Sequence, residues 1–145
     1  MATHSKGSAT WAGDLTGGHG TVSAGSGVFT TLPTTWAARA ESRATGTSPE
    51  ELLAAAHASC FSMAFAGRLA KNGTTAERID VSATVTFDKT DAGMRIISSA
   101  LDVTARVPGI DQATFAKIAE DARENCPTSQ ALKNNVKVSV SARLA

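Results

Sequence analysis

The segment from Ser48 to Gly73 constrains what this chain can fold into more than any other. It opens with Ser48-Pro49-Glu50-Glu51, a serine at the N-cap, proline at the first helical position and glutamate at the third, which is the capping-box pattern. It is rich in Ala, Leu and Met from Leu52 onward and closes on Asn72-Gly73, a helix stop. A helix from Pro49 to Lys71 is about 34 Å long at ~1.5 Å per residue. Leu52, Leu53, Ala56, Cys60, Met63, Ala64 and Ala70 fall at spacings of three and four, while Ala55, Ala58, Phe61, Phe65 and Leu69 make the opposite side nearly as apolar. A helix apolar all round is a central one, not a surface one. It must be covered by a sheet or by a partner subunit.

The elements around it read less sharply. Before it the chain is glycine-rich, and turn signals at Gly13-Asp14 and Gly17-Gly18 separate short segments around Ala9–Ala12 and Thr21–Ala24, a hairpin or meander. After it Val81, Ala83, Val85 and Phe87 alternate with period two, Asp91-Ala92-Gly93 turns the chain, and Ile97, Leu101, Val103, Ala105 and Val107 continue in a second strand. Pro108-Gly109 ends that strand. Asp111 to Glu124 reads as an amphipathic helix with Phe115, Ile118, Ala119 and Ala122 inward. Cys126-Pro127-Thr128-Ser129 begins a further short helix, and Val136, Val138 and Val140 form a closing strand. Strands, helix, two strands, helix, strand is an α+β order with antiparallel sheets. With 145 residues and no repeat, low-complexity tract or linker, the chain reads as a single domain, 1–145.

Charge narrows the partners. Fourteen basic against thirteen acidic residues leave a net charge of +1, no footprint for nucleic acid or an anionic membrane. The longest apolar run, Leu52 to Ala56, stops at His57, short of the ~18 residues of a spanning helix. Met1-Ala-Thr-His-Ser-Lys has no apolar core of a secretory signal, so a soluble cytoplasmic protein is expected. Its two cysteines, Cys60 and Cys126, are too few for a disulfide-stapled secreted domain. In a reducing compartment they are inert core residues, a transient redox pair or metal ligands.

Cys60 lies deep in the long helix, where the helix dipole gives it nothing. It is either a small core residue or a nucleophilic thiol, and the latter needs a nearby cation to lower its pKa from ~8.5. His57, three residues earlier on the same face, is one source of such a charge and otherwise a hydrogen-bonded core histidine. Cys126 precedes Pro127 and so stands at the N-cap of the next helix, where unsatisfied amides and the dipole favour a thiolate. A metal site is the competing chemistry. His57-x-x-Cys60 has a ligand-compatible spacing and Cys126 could be a third ligand, but the fourth would have to be His4, His19 or a carboxylate, with no paired spacing behind it. Gly17-Gly18-His19-Gly20 lacks the lysine of a phosphate loop and is a turn.

These residues resemble the OsmC/Ohr family of thiol peroxidases, and more closely its osmotically inducible protein C branch. The carrying segments are Ser48-Pro-Glu-Glu-Leu-Leu-Ala-Ala-Ala-His-Ala-Ser-Cys60-Phe-Ser-Met-Ala and Cys126-Pro-Thr-Ser-Gln-Ala-Leu. Thr10-Trp11-Ala-Gly13-Asp14, Gly20-Thr-Val-Ser23, Phe87-Asp-Lys-Thr-Asp-Ala-Gly93 and Val107-Pro-Gly-Ile-Asp111 support them, so the likeness covers nearly the whole chain. It implies an intertwined α+β homodimer, antiparallel sheets around long central helices, with two active sites at the subunit interface. It implies reduction of organic hydroperoxides in osmotic and oxidative stress, hydrogen peroxide being a poorer substrate. It further implies recycling by a dithiol reductant, lipoyl-type among the candidates, and no metal or organic cofactor. By resemblance Cys60 is the peroxidatic cysteine, Cys126 the resolving one, Arg39 the catalytic arginine and Glu50 its carboxylate partner. Arg43, four residues on, is an alternative to Arg39, and His57 is held to a supporting role. Where the branch usually reads Cys-Pro-Val-Ser, this chain has Thr128. The rival from another class is a dimeric binding protein for a small apolar ligand, its cysteines redox-silent.

Overall fold

The structure, a computed structural model, describes residues 1–41 and 45–145. They fall into two compact units, Met1–Leu52 and Leu53–Ala145.

The first unit is a three-stranded antiparallel meander of β1 (Gly7–Ala12), β2 (His19–Ala24) and β3 (Leu32–Thr35) in that order. Its first turn is locked by Asp14, whose carboxylate accepts the amides of Thr16 at 2.9 Å and Gly17 at 2.7 Å. β3, which the sequence reading did not find, is four residues long and carries Pro33, tolerated because β3 is the edge of its sheet. From it the chain turns directly into α1 (Trp36–Ala40), capped by the Thr35 hydroxyl, which accepts the Ala38 amide at 3.0 Å.

The long helix, α2, runs unbroken over Pro49–Lys71. Ser48 caps it as expected, its hydroxyl accepting the Glu51 amide at 3.1 Å, while the Glu51 carboxylate takes the Thr47 hydroxyl at 2.6 Å. At the far end the amides of Gly73 and Thr74 return to the carbonyls of Ala70 and Leu69, each at 3.0 Å, a Schellman closure. The left-handed backbone needed there is supplied by Gly73, at φ 78°.

In the second unit β4 (Arg78–Thr90) and β5 (Gly93–Arg106) form a long hairpin, and β6 (Lys137–Leu144) pairs with the other side of β5. The register shifts between Thr86 and Phe87, so Thr86 faces Ser98 but Phe87 faces Ile96. Ile97, expected in step with Leu101, is therefore the extra residue of a bulge and stays exposed. α3 (Gln112–Asn125), capped by Asp111, and α4 (Pro127–Leu132) then carry the chain back across, so β6 runs parallel to β5. That pair departs from the otherwise antiparallel sheets, because a helical crossover returns the chain in its original direction.

One cluster fills this unit. Phe61, Phe65 and Leu69 of α2 meet Leu101, Val103 and Ala105 of β5 and Phe115, Ala119 and Ala122 of α3, all buried. The Phe65 ring lies 5.6 Å from Phe61 and 5.1 Å edge-on from Phe115. Thus α2 turns the stripe His57, Phe61, Phe65, Leu69 to its own chain and leaves Ala56, Ser59, Met63, Ala66 and Ala70 exposed, Met63 by 68%. Taken whole, α2 is also long and apolar enough to cross a bilayer by length and composition, which the reading of uninterrupted runs alone did not register.

Candidate active site

The fold brings the two cysteines together. Cys60 looks out from the middle of α2, half-buried, and Cys126 sits at the N-cap of α4, fully buried within the hydrocarbon cluster; both are free thiols. Burial opposes ionisation of Cys60, but hydrogen bonds from the Thr128 hydroxyl, the Thr128 amide and the Cys126 thiol outweigh it, and its pKa is lowered. For Cys126 burial wins. Desolvation holds its pKa above the ordinary thiol value, although the amide and hydroxyl of Ser129 pull the other way. This runs against the expectation drawn from the N-cap position, that amides and dipole there favour a thiolate at Cys126. The first-turn amide of Thr128 serves Cys60 as well, and the sulfur that keeps some solvent is the one that ionises more easily.

His57 does not supply the cation that the sequence reading offered Cys60. It is fully buried, with Nδ1 2.7 Å from the Ser99 hydroxyl and Nε2 2.9 Å from the Ser129 hydroxyl. Burial lowers its pKa, which favours the neutral imidazole. Both nitrogens being taken by serines, the zinc reading loses its histidine. Among the described residues no group of three or more His, Cys, Asp and Glu side chains could hold a metal ion.

In the first unit Arg39, in the last turn of α1, grips Glu50 of α2 in a fork. Its Nε lies 3.1 and 3.2 Å from the two carboxylate oxygens and its Nη2 lies 2.8 Å from Oε1. Glu50 is only 3% exposed, so a charge-assisted bidentate pair of this kind fixes the guanidinium firmly. Arg43, the alternative arginine, lies outside the described residues. Beside Arg39 a cavity of about 450 Å³ is lined by apolar side chains, among them Trp11, Leu15, Val22, Trp36 and Leu52.

Thr128, Ser129 and Ser99 were not singled out as site residues from the sequence. Thr128 and Ser129 were within reach, since they follow a cysteine placed at an N-cap. Ser99 carried no signal, being a strand residue far from the cysteines in the chain.

A thiolate-forming cysteine backed by a sealed second thiol, on an α+β framework of this topology, defines a thiol-redox protein of the OsmC/Ohr type. A family model described as OsmC-like protein matches residues 41–141. The chain is 47% identical over 136 residues to Peroxiredoxin OsmC of Escherichia coli (strain K12), covering 94% of each. It is 37% identical over 95 residues to Organic hydroperoxide resistance protein-like 1 of Staphylococcus saprophyticus, covering 64% of this chain and 66% of that one. In fold it is similar to the crystal structure of the organic hydroperoxide resistance protein OhrB of Bacillus subtilis, with a TM-score of 0.73 at 24% identity, covering 95% of this chain and 98% of that one. The chain belongs to the OsmC family of thiol-dependent peroxidases.

Proposed function

We propose that this protein reduces organic hydroperoxides to alcohols, with Cys60 as the peroxidatic cysteine and Cys126 as the resolving one. The observation that carries the reading is the asymmetry of the pair: Cys60 is partly open and biased toward thiolate, whereas Cys126 is sealed in the core and biased toward thiol. A peroxide can meet the first sulfur, and the second is in reach of little but the first. The Cys60 thiolate attacks the distal peroxide oxygen, the O–O bond breaks, and its electron pair leaves on the alkoxide, which takes a proton to become the alcohol. Cys60 is left as a sulfenic acid. Cys126 then forms the S–S bond, its proton and the departing hydroxide leaving as water, and a dithiol reductant returns both thiols while becoming a disulfide itself.

Arg39 stabilises the thiolate and polarises the peroxide, and Glu50 holds its guanidinium in one orientation, a role supported by the bidentate fork. The apolar cavity beside Arg39 suits an alkyl group better than hydrogen peroxide. None of these steps needs a metal or organic cofactor. The protein works as a soluble cytoplasmic homodimer of single-domain subunits, in which a second copy covers the exposed stripe of α2 around Met63.

The same cavity also fits the rival reading, an apolar-ligand carrier with silent cysteines. Thiol titration before and after one equivalent of an alkyl hydroperoxide separates the two. Loss of both thiols per chain is the expected result, and no loss would leave the carrier reading standing.

A further inference from the structure

The proposed mechanism gives no task to His57, yet His57 anchors an unusual line of buried polar groups. Ser99, His57 and Ser129 are three of the five buried polar side chains among the described residues, and they form one chain across β5, α2 and α4. The chain ends beside the sulfurs: Ser129 stands in the first turn of α4, whose N-cap is Cys126, and its hydroxyl and amide act on the Cys126 thiol. Hydrogen-bond directions follow from this order. If Ser129 gives its proton to the sulfur, its oxygen must accept from His57 Nε2–H, and Nδ1 must accept from the Ser99 hydroxyl. One tautomer of a neutral imidazole satisfies every group. The buried imidazole is the group that holds the Ser129 hydroxyl, at 2.9 Å.

We propose that His57 is a positioning residue for the resolving step: by holding Ser129 it aims a hydroxyl at Cys126 and keeps the first turn of α4 in place while Cys126 attacks the Cys60 sulfenic acid. The inference rests on the peroxidase reading above. As the new S–S bond forms, negative charge passes through the Cys126 sulfur while the sulfenic oxygen leaves with the thiol proton as water. A fixed hydroxyl donor stabilises that charge where hydrocarbon would oppose it. Without the imidazole, Ser129 can turn to another acceptor and the first turn of α4 loosens. The first step, at the open face of Cys60, does not use Ser129.

The two ring nitrogens can be replaced separately. His57→Gln keeps a donor near the Nε2 position toward Ser129, whereas His57→Asn keeps a group near Nδ1 toward Ser99 only. Ser129→Ala removes the aimed hydroxyl with little change of volume and serves if the histidine variants do not fold. In rapid-quench single turnovers with cumene hydroperoxide, Cys60 oxidation and disulfide formation are followed separately by mass spectrometry, with dimedone trapping the sulfenic acid. Expected are disulfide formation slowed about tenfold or more in His57→Asn and Ser129→Ala, near wild type in His57→Gln, and Cys60 oxidation within about twofold throughout. Equal behaviour of the Gln and Asn variants with an unaffected Ser129→Ala, or parallel slowing of both steps, overturns the assignment in favour of a purely structural histidine. If the unmodified protein itself forms no Cys60–Cys126 disulfide, the peroxidase reading falls first and this inference with it.

Discussion

At Cys60 two opposing effects act on one sulfur, and which of them wins decides the chemistry. Partial burial penalises the thiolate, but the Thr128 hydroxyl and amide and the Cys126 thiol all donate to it, so the balance falls toward ionisation. At Cys126 the same desolvation is greater and wins. Since the Cys60 pKa lies below the ordinary value, its thiolate forms on the acid side of a free thiol, while Cys126 stays protonated on its alkaline side. Iodoacetamide labelling as a function of pH, read peptide by peptide, is expected to modify Cys60 at lower pH than free cysteine and Cys126 only above it. Thr128→Val, which deletes the first-named donor, moves the Cys60 profile upward. With one equivalent of hydroperoxide, Cys60→Ser is expected to be inert, whereas Cys126→Ser gives a sulfenic acid that over-oxidises with further peroxide, as intact mass would show. Arg39→Ala is expected to slow Cys60 oxidation by about 10²-fold, typical for loss of one preorganised donor to developing charge; an unaltered rate would transfer the role to Arg43.

Among the elements, α2 organises the core of the second unit. Its signals were local and therefore readable: Ser48 and Pro49 begin it, Gly73 ends it, and the structure keeps those bounds. The edges of α3 were equally legible, because Asp111 caps it by a contact three residues away. β3 and α1 were missed since four and five residues carry too little periodicity to register. The bulge at Ile97 was invisible for a different reason: the β4–β5 register depends on which residues face each other across the hairpin, not on either strand alone. Phe65 ties α2 to α3, being fully buried with ring contacts to Phe61 and Phe115. Phe65→Ala is expected to cost about 3–5 kcal/mol of stability, measured by chemical denaturation. A loss under ~1 kcal/mol would mean that this cluster is not what holds the second unit.

For the molecule as a whole, the decisive feature is the stripe of α2 left uncovered by its own chain. The helix is apolar on both sides, yet the cluster of this chain takes only the His57–Leu69 stripe. The proposed second copy, packed on the other side, would cover the remainder. Met63, the most exposed apolar side chain of that stripe, is expected to lie in the interface. Met63→Glu should shift the protein from dimer to monomer in light scattering, since a carboxylate there would be buried without a partner; an unchanged dimer would put the interface elsewhere. By itself the amino-acid sequence determined α2, its caps and the N-cap of α3, because each is encoded by neighbours a few positions apart. Only the tertiary structure decided which thiol the balance of burial and hydrogen bonding favours for ionisation, that His57 is buried between two serines and that β6 runs parallel to β5. Those outcomes depend on desolvation and on hydrogen bonds between Ser99, His57 and Ser129, groups that meet only after the chain has closed on itself.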